Sequence, residues 1–330
     1  MFVIVEIANR RALMTEKLKV FDMFSGIGGF ALGLKKSNLP HEIVGFSEID
    51  PYAQKIYKKH FKGVKNYGDA TKIDESKLPD FDLLTAGFPC QSFSNAGSKR
   101  PDDPRSQLFL EIIRLLKNKP RFVLLENVQS LVRHDNGKTF TRIIEELSRL
   151  SYRVEWQIFN SKYYVPQHRE RIYIFATLID GYSGNTTRST IFPIRPESAK
   201  SVPKDERQPD YLKISKKGRL RTRQHLASAL SGGAHSGGNH SDMDLLAYPT
   251  QIRRLTLREC ERLQGFDDDF TEGLGISNSQ RFKALGNAVT VPVVTAIMNK
   301  LHEVIIDEEE QAYFENFNIV VEQDQSIKAV

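Results

Sequence analysis

The chain has 330 residues, a formal net charge of +6, 40% hydrophobic and 27% charged residues, the make-up of a soluble globular protein with one large core and a smaller attached domain. Two cysteines, Cys90 and Cys260, exclude a disulfide framework and fit a reducing cytoplasm. No apolar stretch approaches the length of a membrane-spanning helix, and the start Met1-Phe2-Val3-Ile4-Val5-Glu6 lacks the basic flank of a signal peptide and carries an acid inside it.

Met14, just before the first convincing strand, is an alternative start, so residues 1–15 read as an N-terminal extension without fixed structure. Charge is unevenly spread. The window Arg188–Arg223 holds eleven Lys/Arg against four Asp/Glu, while Asp307-Glu308-Glu309-Glu310 opens an acidic tail. A concentrated basic window suits a polyanionic partner, with a solvated basic loop as the equal alternative.

From Lys17 to about Leu178, short apolar runs alternate with helix-like segments, the pattern of βαβ units on a mostly parallel sheet. Leu18–Phe24 is the first strand; it enters Ser25-Gly26-Ile27-Gly28-Gly29, and a helix follows from Phe30. Ile43–Ser47 is the second strand and ends in Glu48-Ile49-Asp50. Pro51, tolerated in a first turn, starts a helix to His60. A short strand is expected before Gly68-Asp69, then a buried strand Phe81–Ala86. Gln107–Leu116 has helical spacing, Phe122–Leu125 is a buried strand delivering Glu126-Asn127-Val128, and Thr139–Leu150 is a helix. Arg153–Phe159 and Arg171–Thr177 are strands. Residues 180–250 lose all periodicity and are rich in Gly, Ser, Pro, Lys and Arg, which marks a domain boundary near Leu178. Helical spacing returns at Leu257–Leu263 and from Gln280 to about Ile305.

Five strand ends carry candidate chemistry, the first three of them in succession. Gly26-Ile27-Gly28-Gly29 lets the backbone approach a ligand closely, although Ala31 stands where a dinucleotide fingerprint needs its third glycine. Glu48 is placed for ribose hydroxyls and Asp69 for an adenine amino group; together they suit an adenosine-bearing cofactor, each alone being equally an ordinary loop acid. Cys90 leaves the Phe81–Ala86 strand within Gly87-Phe88-Pro89-Cys90-Gln91-Ser92-Phe93-Ser94-Asn95-Ala96-Gly97. A lone cysteine is more often a packed core residue, but its Pro, Gln and Ser neighbours favour a reactive thiol. Glu126 leaves the same sheet edge, where apolar surroundings raise a carboxyl pKa and make it a proton donor. Gln167, Arg169 and Arg171 share one side of an extended segment, able to hold a carbonyl oxygen and phosphates or to form a surface ion-pair ladder.

These segments, taken in order, resemble the cytosine-5 DNA methyltransferases. The resemblance rests on Phe21–Gly29, the Gly87–Gly97 segment, Glu126-Asn127-Val128, Gln167-x-Arg169-x-Arg171, Arg254–Phe266 and Gln280–Val289, and it covers about Leu18 to Leu301. It implies a Rossmann-like α/β methyltransferase fold with a smaller target-recognition domain. Residues 16–178 would be the catalytic and cofactor-binding domain, 179–279 the target-recognition domain, 280–305 a helix returning to the first, and 306–330 an acidic tail.

The resemblance also implies roles. Cys90 would attack C6 of a cytosine as thiolate, Glu126 would bond N3 and the exocyclic amine, Arg171 would contact O2, and Arg169 would brace the site and the DNA backbone. C5 would take the methyl of S-adenosylmethionine. Phe24, Ser25, Gly26, Ile27, Gly28, Gly29, Glu48, Ile49, Asp69, Ala70, Pro89, Leu108, Asn287 and Ala288 would line the cofactor pocket, with aliphatic Ile49 where some family members carry tryptophan. The target base would have to be flipped out of duplex DNA. Gln91, Ser94 and Arg105 would close over the DNA, and Arg219, Arg221 and Arg223 would contact phosphates or base edges.

A cytoplasmic monomer is expected, with double-stranded DNA as partner and, in a restriction-modification setting, a separate endonuclease. No metal site is expected, since His235 and His240 lack Cys or paired-carboxylate support. Three other readings compete: a nicotinamide-dependent dehydrogenase, which leaves Cys90 and Glu126 idle; a DNA-binding protein without catalysis; and a tRNA methyltransferase of the same superfamily.

Overall fold

The segment Leu18–Met23 (β1) becomes a central strand because four of its six side chains are fully buried on both faces. The computed structural model describes residues 17–89, 108–179, 190–195, 210–214, 220–223, 226–232, 244–248 and 251–327. The other elements in chain order are α1 (Gly29–Lys35), β2 (His41–Ser47), α2 (Pro51–His60), β3 (Leu83–Gly87), α3 (Leu108–Leu115), β4 (Phe122–Val128), α4 (Lys138–Arg149), β5 (Tyr152–Asn160), β6 (Gln167–His168) and β7 (Glu170–Leu178). They are followed by β8 (Asp210–Ile214), β9 (Leu220–Arg223), β10 (Ala227–Ser228), β11 (Leu245–Tyr248), β12 (Gln251–Arg254), α5 (Leu257–Gln264), α6 (Asn278–Asn287) and α7 (Val291–Ile327).

The main sheet runs β2-β1-β3-β4-β7-β5. Its first four strands are parallel, and β7 is antiparallel to both β4 and β5. Strand order reverses at β1, so the carboxyl ends of β1 and β3 flank a topological switch point, where such sheets bind ligands. Alternation divides the core. Phe21, Met23, Leu84, Val123 and Ile174 pack under α3 and α4, whereas Val20, Leu83, Leu124 and Phe175 pack under α1 and α7. Helices α1 and α7 touch closely, since a Cβ on Gly33 would lie 2.4 Å from Val294 Cγ1.

The helix from Pro51 to His60 forms as expected. Asp50 caps it by accepting from the amides of Tyr52 (2.8 Å) and Ala53 (3.2 Å), with Pro51 in the first turn, where no amide is needed. The strand expected before Gly68 reduces to a single bridge between Phe46 and Asn66, because the side chain of Asn66 takes over the pairing with Glu48 and Gly68. The helix expected over 280–305 is two helices. Ala288 is extended, and Pro292, which has no amide hydrogen to donate, stands in the first turn of α7. The acidic tail is not separate from that helix, for α7 continues to Ile327.

One further expectation fails on length. The stretch Asn278–Gln311 is long and apolar enough to span a membrane by composition alone. Its apolar residues, Val293, Val294, Ile297, Met298 and Leu301, are instead buried against β1, β4 and α1, as in a core helix.

A four-stranded antiparallel sheet, β12-β11-β8-β9, follows the main one. Residues from Leu255 to Ile276 share a buried cluster with Ile27, Phe46 and Tyr57 of the main sheet's rim as well as with Ala227, Leu230 and Leu246. The segment assigned to the smaller domain thus supplies packing to both.

Candidate active site

After β1 the backbone turns through Phe24 (φ 53), Gly26 (φ 55) and Gly28 (φ 90). Left-handed φ is costly for phenylalanine and free for glycine, so the turn is held by partners. The amide of Gly26 donates to Glu48 Oε2 at 2.8 Å, and Glu48 Oε1 accepts from the amides of Ile49 (2.8 Å) and Asp50 (2.7 Å). Burial pushes the Glu48 carboxyl up from the ordinary range, and these backbone donors pull it back. Asp69 caps the next turn, and bonds from Thr71 hold its carboxyl low.

The second half of the site is built by register. Gly87 on β3 lies opposite Glu126 on β4, and Val128 lies opposite Arg171 on β7. Arg171 Nε therefore reaches Glu126 Oε1 at 3.1 Å. Glu126 is 9% exposed; burial raises its carboxyl pKa, and the Arg171 and Arg169 charges oppose that rise. Next to it, Asn127 Nδ2 donates to the Phe88 carbonyl at 3.1 Å. That bond ties the end of β4 to the chain leaving β3, two residues before Cys90.

Both halves open into one cleft of about 720 Å³. Phe24, Gly26, Glu48, Ile49 and Asp69 line one part, and Pro89, Glu126 and Arg171 line another. The outer wall is Ala229–Gly232 and the end of α6, from Gln280 to Asn287. Arg169 holds that wall in place. It is 2% exposed, and its Nη1 donates to the Leu230 carbonyl (2.7 Å) while Nη2 donates to those of Gly286 (3.3 Å) and Ala288 (2.9 Å). Burial pulls its pKa down to about 9.

The sequence profile of the C-5 cytosine-specific DNA methylase family matches residues 18–225 and 205–303. The chain belongs to that family. The type II methyltransferase M1.ScrFI of Lactococcus lactis subsp. cremoris is 37% identical over 324 residues, covering 91% of this chain and 82% of that protein. The type II methyltransferase M.NgoBI of Neisseria gonorrhoeae is 38% identical over 302 residues, covering 84% and 91%. The crystal structure of S. pombe Dnmt2 methyltransferase shares the fold, with a TM-score of 0.67, 22% identity and coverage of 88% and 99%.

In this C-5 cytosine methylase, ten of the fourteen expected cofactor residues line the cleft: Phe24, Gly26, Ile27, Glu48, Ile49, Asp69, Ala70, Pro89, Leu108 and Asn287. Ser25, Gly28, Gly29 and Ala288 do not. Ser25 is buried and its Oγ has no partner among the described residues. Gly28 lies against Phe61 and Tyr57, and Gly29 against Val289. Ala288 is buried and its carbonyl serves Arg169. Ile49 is 69% exposed, an apolar side chain left uncovered at the cleft.

The expected Gln-x-Arg-x-Arg array divides. Gln167 donates to the Leu263 carbonyl (2.7 Å) and accepts from the Leu230 amide (2.9 Å). Arg169 spends its Nη atoms on three carbonyls while its Nε, at the cleft lining, has no partner among the described residues, and Arg171 pairs with Glu126. Cys90, Gln91, Ser94, Arg105 and Arg219 lie outside the described residues, as do His235 and His240. Arg221 and Arg223 fall on β9, opposite Lys213 and Tyr211.

Cys260 is buried in α5, where burial pushes its thiol up to about 12, the state of an inert packing cysteine. Two contributors escaped sequence reading. The segment Ala229–Gly232 looks like flexible linker in sequence, yet it walls the cleft. Lys283 pairs with Asp50 at 3.2 Å across the cleft rim, a contact spanning 233 positions that no local period reveals.

Proposed function

We propose that the chain transfers a methyl group from S-adenosylmethionine to C5 of a cytosine flipped out of a specific duplex DNA sequence, through a covalent Cys90–C6 intermediate. The observation that carries this reading is the pairing of buried Glu126 with half-buried Arg171, set beside the chain leading to Cys90 and sharing one cleft with the β1 turn and Glu48. The residues present fit the cofactor: a carboxylate at the end of β2, an uncovered Ile49, and a turn with left-handed glycines. Glu48 would hold the ribose, Asp69 the adenine amine, and Phe24, Gly26 and Asn287 the rest. When bound, S-adenosylmethionine supplies an electrophilic methyl group.

Cys90 adds as thiolate to C6 while Glu126, whose carboxyl pKa burial raises against the pull of Arg171 and Arg169, gives a proton to N3. The ring electrons so released make C5 nucleophilic. Arg171, anchored by Glu126, would contact the base's O2. After methylation, the C5 proton passes to solvent, its bonding electrons expel the thiolate from C6, and the N3 proton returns to Glu126, which restores the ring. Base flipping costs a few kcal/mol, recovered in pocket and phosphate contacts. Residues 179–279 would choose the sequence, with Arg219, Arg221 and Arg223 against the DNA. Two relatives named type II methyltransferases make a separately acting restriction endonuclease the natural companion of a cytoplasmic monomer.

Labelled methyl should pass from S-adenosylmethionine to duplex DNA, and DNA containing 5-fluorocytosine should trap the protein covalently. Cys90→Ser or Cys90→Ala should abolish both while leaving cofactor binding intact, and Cys260→Ala should retain transfer. Transfer to tRNA alone, or full activity without the Cys90 thiol, would overturn the reading. Replacing residues 181–250 with the matching segment of a relative should change the methylated sequence in bisulfite reads of plasmid DNA. An unchanged sequence would refute that role for the region.

A further inference from the structure

Beneath the β1 turn lies a carboxyl group for which the proposed reaction has no use. Asp22 is fully buried, two residues before Phe24. Its Oδ1 accepts a 2.8 Å hydrogen bond from Thr85 Oγ1 on β3. Its Oδ2 is buried beside the Tyr57 hydroxyl of α2, also buried, and the two act on each other as a side-chain pair although no hydrogen bond of standard geometry joins them. No Lys or Arg pairs with Asp22 among the described residues, and the charge that acts on it is the like charge of Glu48. The groups facing it are thus Thr85, Tyr57 and Glu48.

Tyr57 connects this carboxyl to the cofactor turn. Its ring stacks on Phe46 with centroids 3.9 Å apart, and a Cβ on Gly28 would sit 3.1 Å from Tyr57 Cδ2. Thr85 lies two residues before Gly87, where β3 turns towards Cys90. Asp22 therefore joins the floor of the β1 turn, the inner face of α2 and the exit of β3. An ionised carboxylate there would be desolvated, with only the Thr85 and Tyr57 hydroxyls to donate to it and no opposite charge among the described residues, a costly state. A neutral acid can donate to Tyr57 while still accepting from Thr85.

We propose that Asp22 is a positioning residue of the cofactor turn, kept as a neutral acid between Thr85 and Tyr57, and that affinity for the adenosyl cofactor falls when it ionises. Burial pushes the group up to about 7, in agreement with that placement. The unfolded chain loses this proton near the ordinary 3.8. Between those values the folded state holds more protons, so its contribution to stability is complete at low pH and declines as pH rises.

The proposal rests on the S-adenosylmethionine reading of the cleft, and its test is to compare the wild-type chain with Asp22→Asn. Asparagine keeps one acceptor and one donor in the same shape but never ionises. The melting temperature of Asp22→Asn relative to wild type should rise between pH 5 and 7 and level off above. In calorimetry, wild-type Kd for S-adenosylhomocysteine should weaken several-fold between pH 7 and 9, by at most about tenfold per pH unit. The variant should lack that extra loss. The ligand's own amino group titrates against both proteins and cancels in the comparison. A melting difference that ignores pH, or coincident Kd profiles, would overturn the role of Asp22. Failure of both proteins to bind S-adenosylhomocysteine at every pH would instead sink the cofactor reading, and the positioning role with it.

Discussion

Glutamine at position 126 should lower single-turnover methyl transfer by about 10²–10⁴-fold, the usual worth of a positioned proton donor, with cofactor Kd little changed. Glutamine keeps the shape and a hydrogen bond towards the cytosine, but it has no acidic proton to give to N3. The effect should be pH-dependent in a definite direction. Burial raises the Glu126 carboxyl, and Arg171 and Arg169 oppose that rise, so the donor form persists above the ordinary carboxyl range and is lost as pH climbs through the raised value. The Cys90 thiolate, the attacking form, grows as pH rises. Wild-type kcat/KM should therefore be bell-shaped, and Glu126→Gln should lose the alkaline limb that belongs to the carboxyl. A variant within tenfold of wild type, or one that keeps both limbs, would remove Glu126 from the chemistry.

The second large effect should come from a methyl group. A Cβ on Gly286 would lie 2.3 Å from the Ser231 carbonyl carbon, 2.4 Å from its oxygen and 2.6 Å from the Gly232 nitrogen. These are backbone atoms, with no rotamer to escape into. Gly286→Ala must therefore push the Ala229–Gly232 segment outward. Leu230 goes with it, together with its bonds to Arg169 and Gln167. Overpacking of this kind costs about 1–3 kcal/mol, and because the displaced segment is a wall of the cleft, cofactor affinity should fall at least about tenfold. Gly63→Ala is the control: its φ is 81° and nothing lies within 4 Å of the added carbon, so it should cost about 1 kcal/mol of backbone strain and leave binding alone. Melting curves and titrations with S-adenosylhomocysteine on both variants measure this, and equal binding losses would refute the wall.

Much of this was written locally. The strands β1, β3 and β4 read directly as apolar runs, because a parallel strand buried on both faces admits few polar residues. Asp50-Pro51 announced α2 through capping chemistry that acts within one turn. Glu48, Asp69 and Glu126 were legible as acids at strand ends, the edge where open α/β sheets place ligands. The divided C-terminal helix was less legible, since the break at Ala288 answers to packing on Ser161 and Gln264 through Thr290 as much as to Pro292. The same holds for Arg169, whose position beside Arg171 suggests a shared duty that only its burial dissolves.

By itself, the sequence determined the alternation that makes the sheet, the family, and the residue types available at each strand end, because these depend on periods and spacings of a few residues. Tertiary structure decided what those residues do to one another. It brought Arg171 to Glu126 through strand register, spent Arg169 on three carbonyls, closed the cleft with Ser231, Gly232 and Lys283, and left Asp22 without a counter-charge among the described residues. Each of these depends on which groups exclude water from which others, and that is set by contacts between segments tens to hundreds of residues apart.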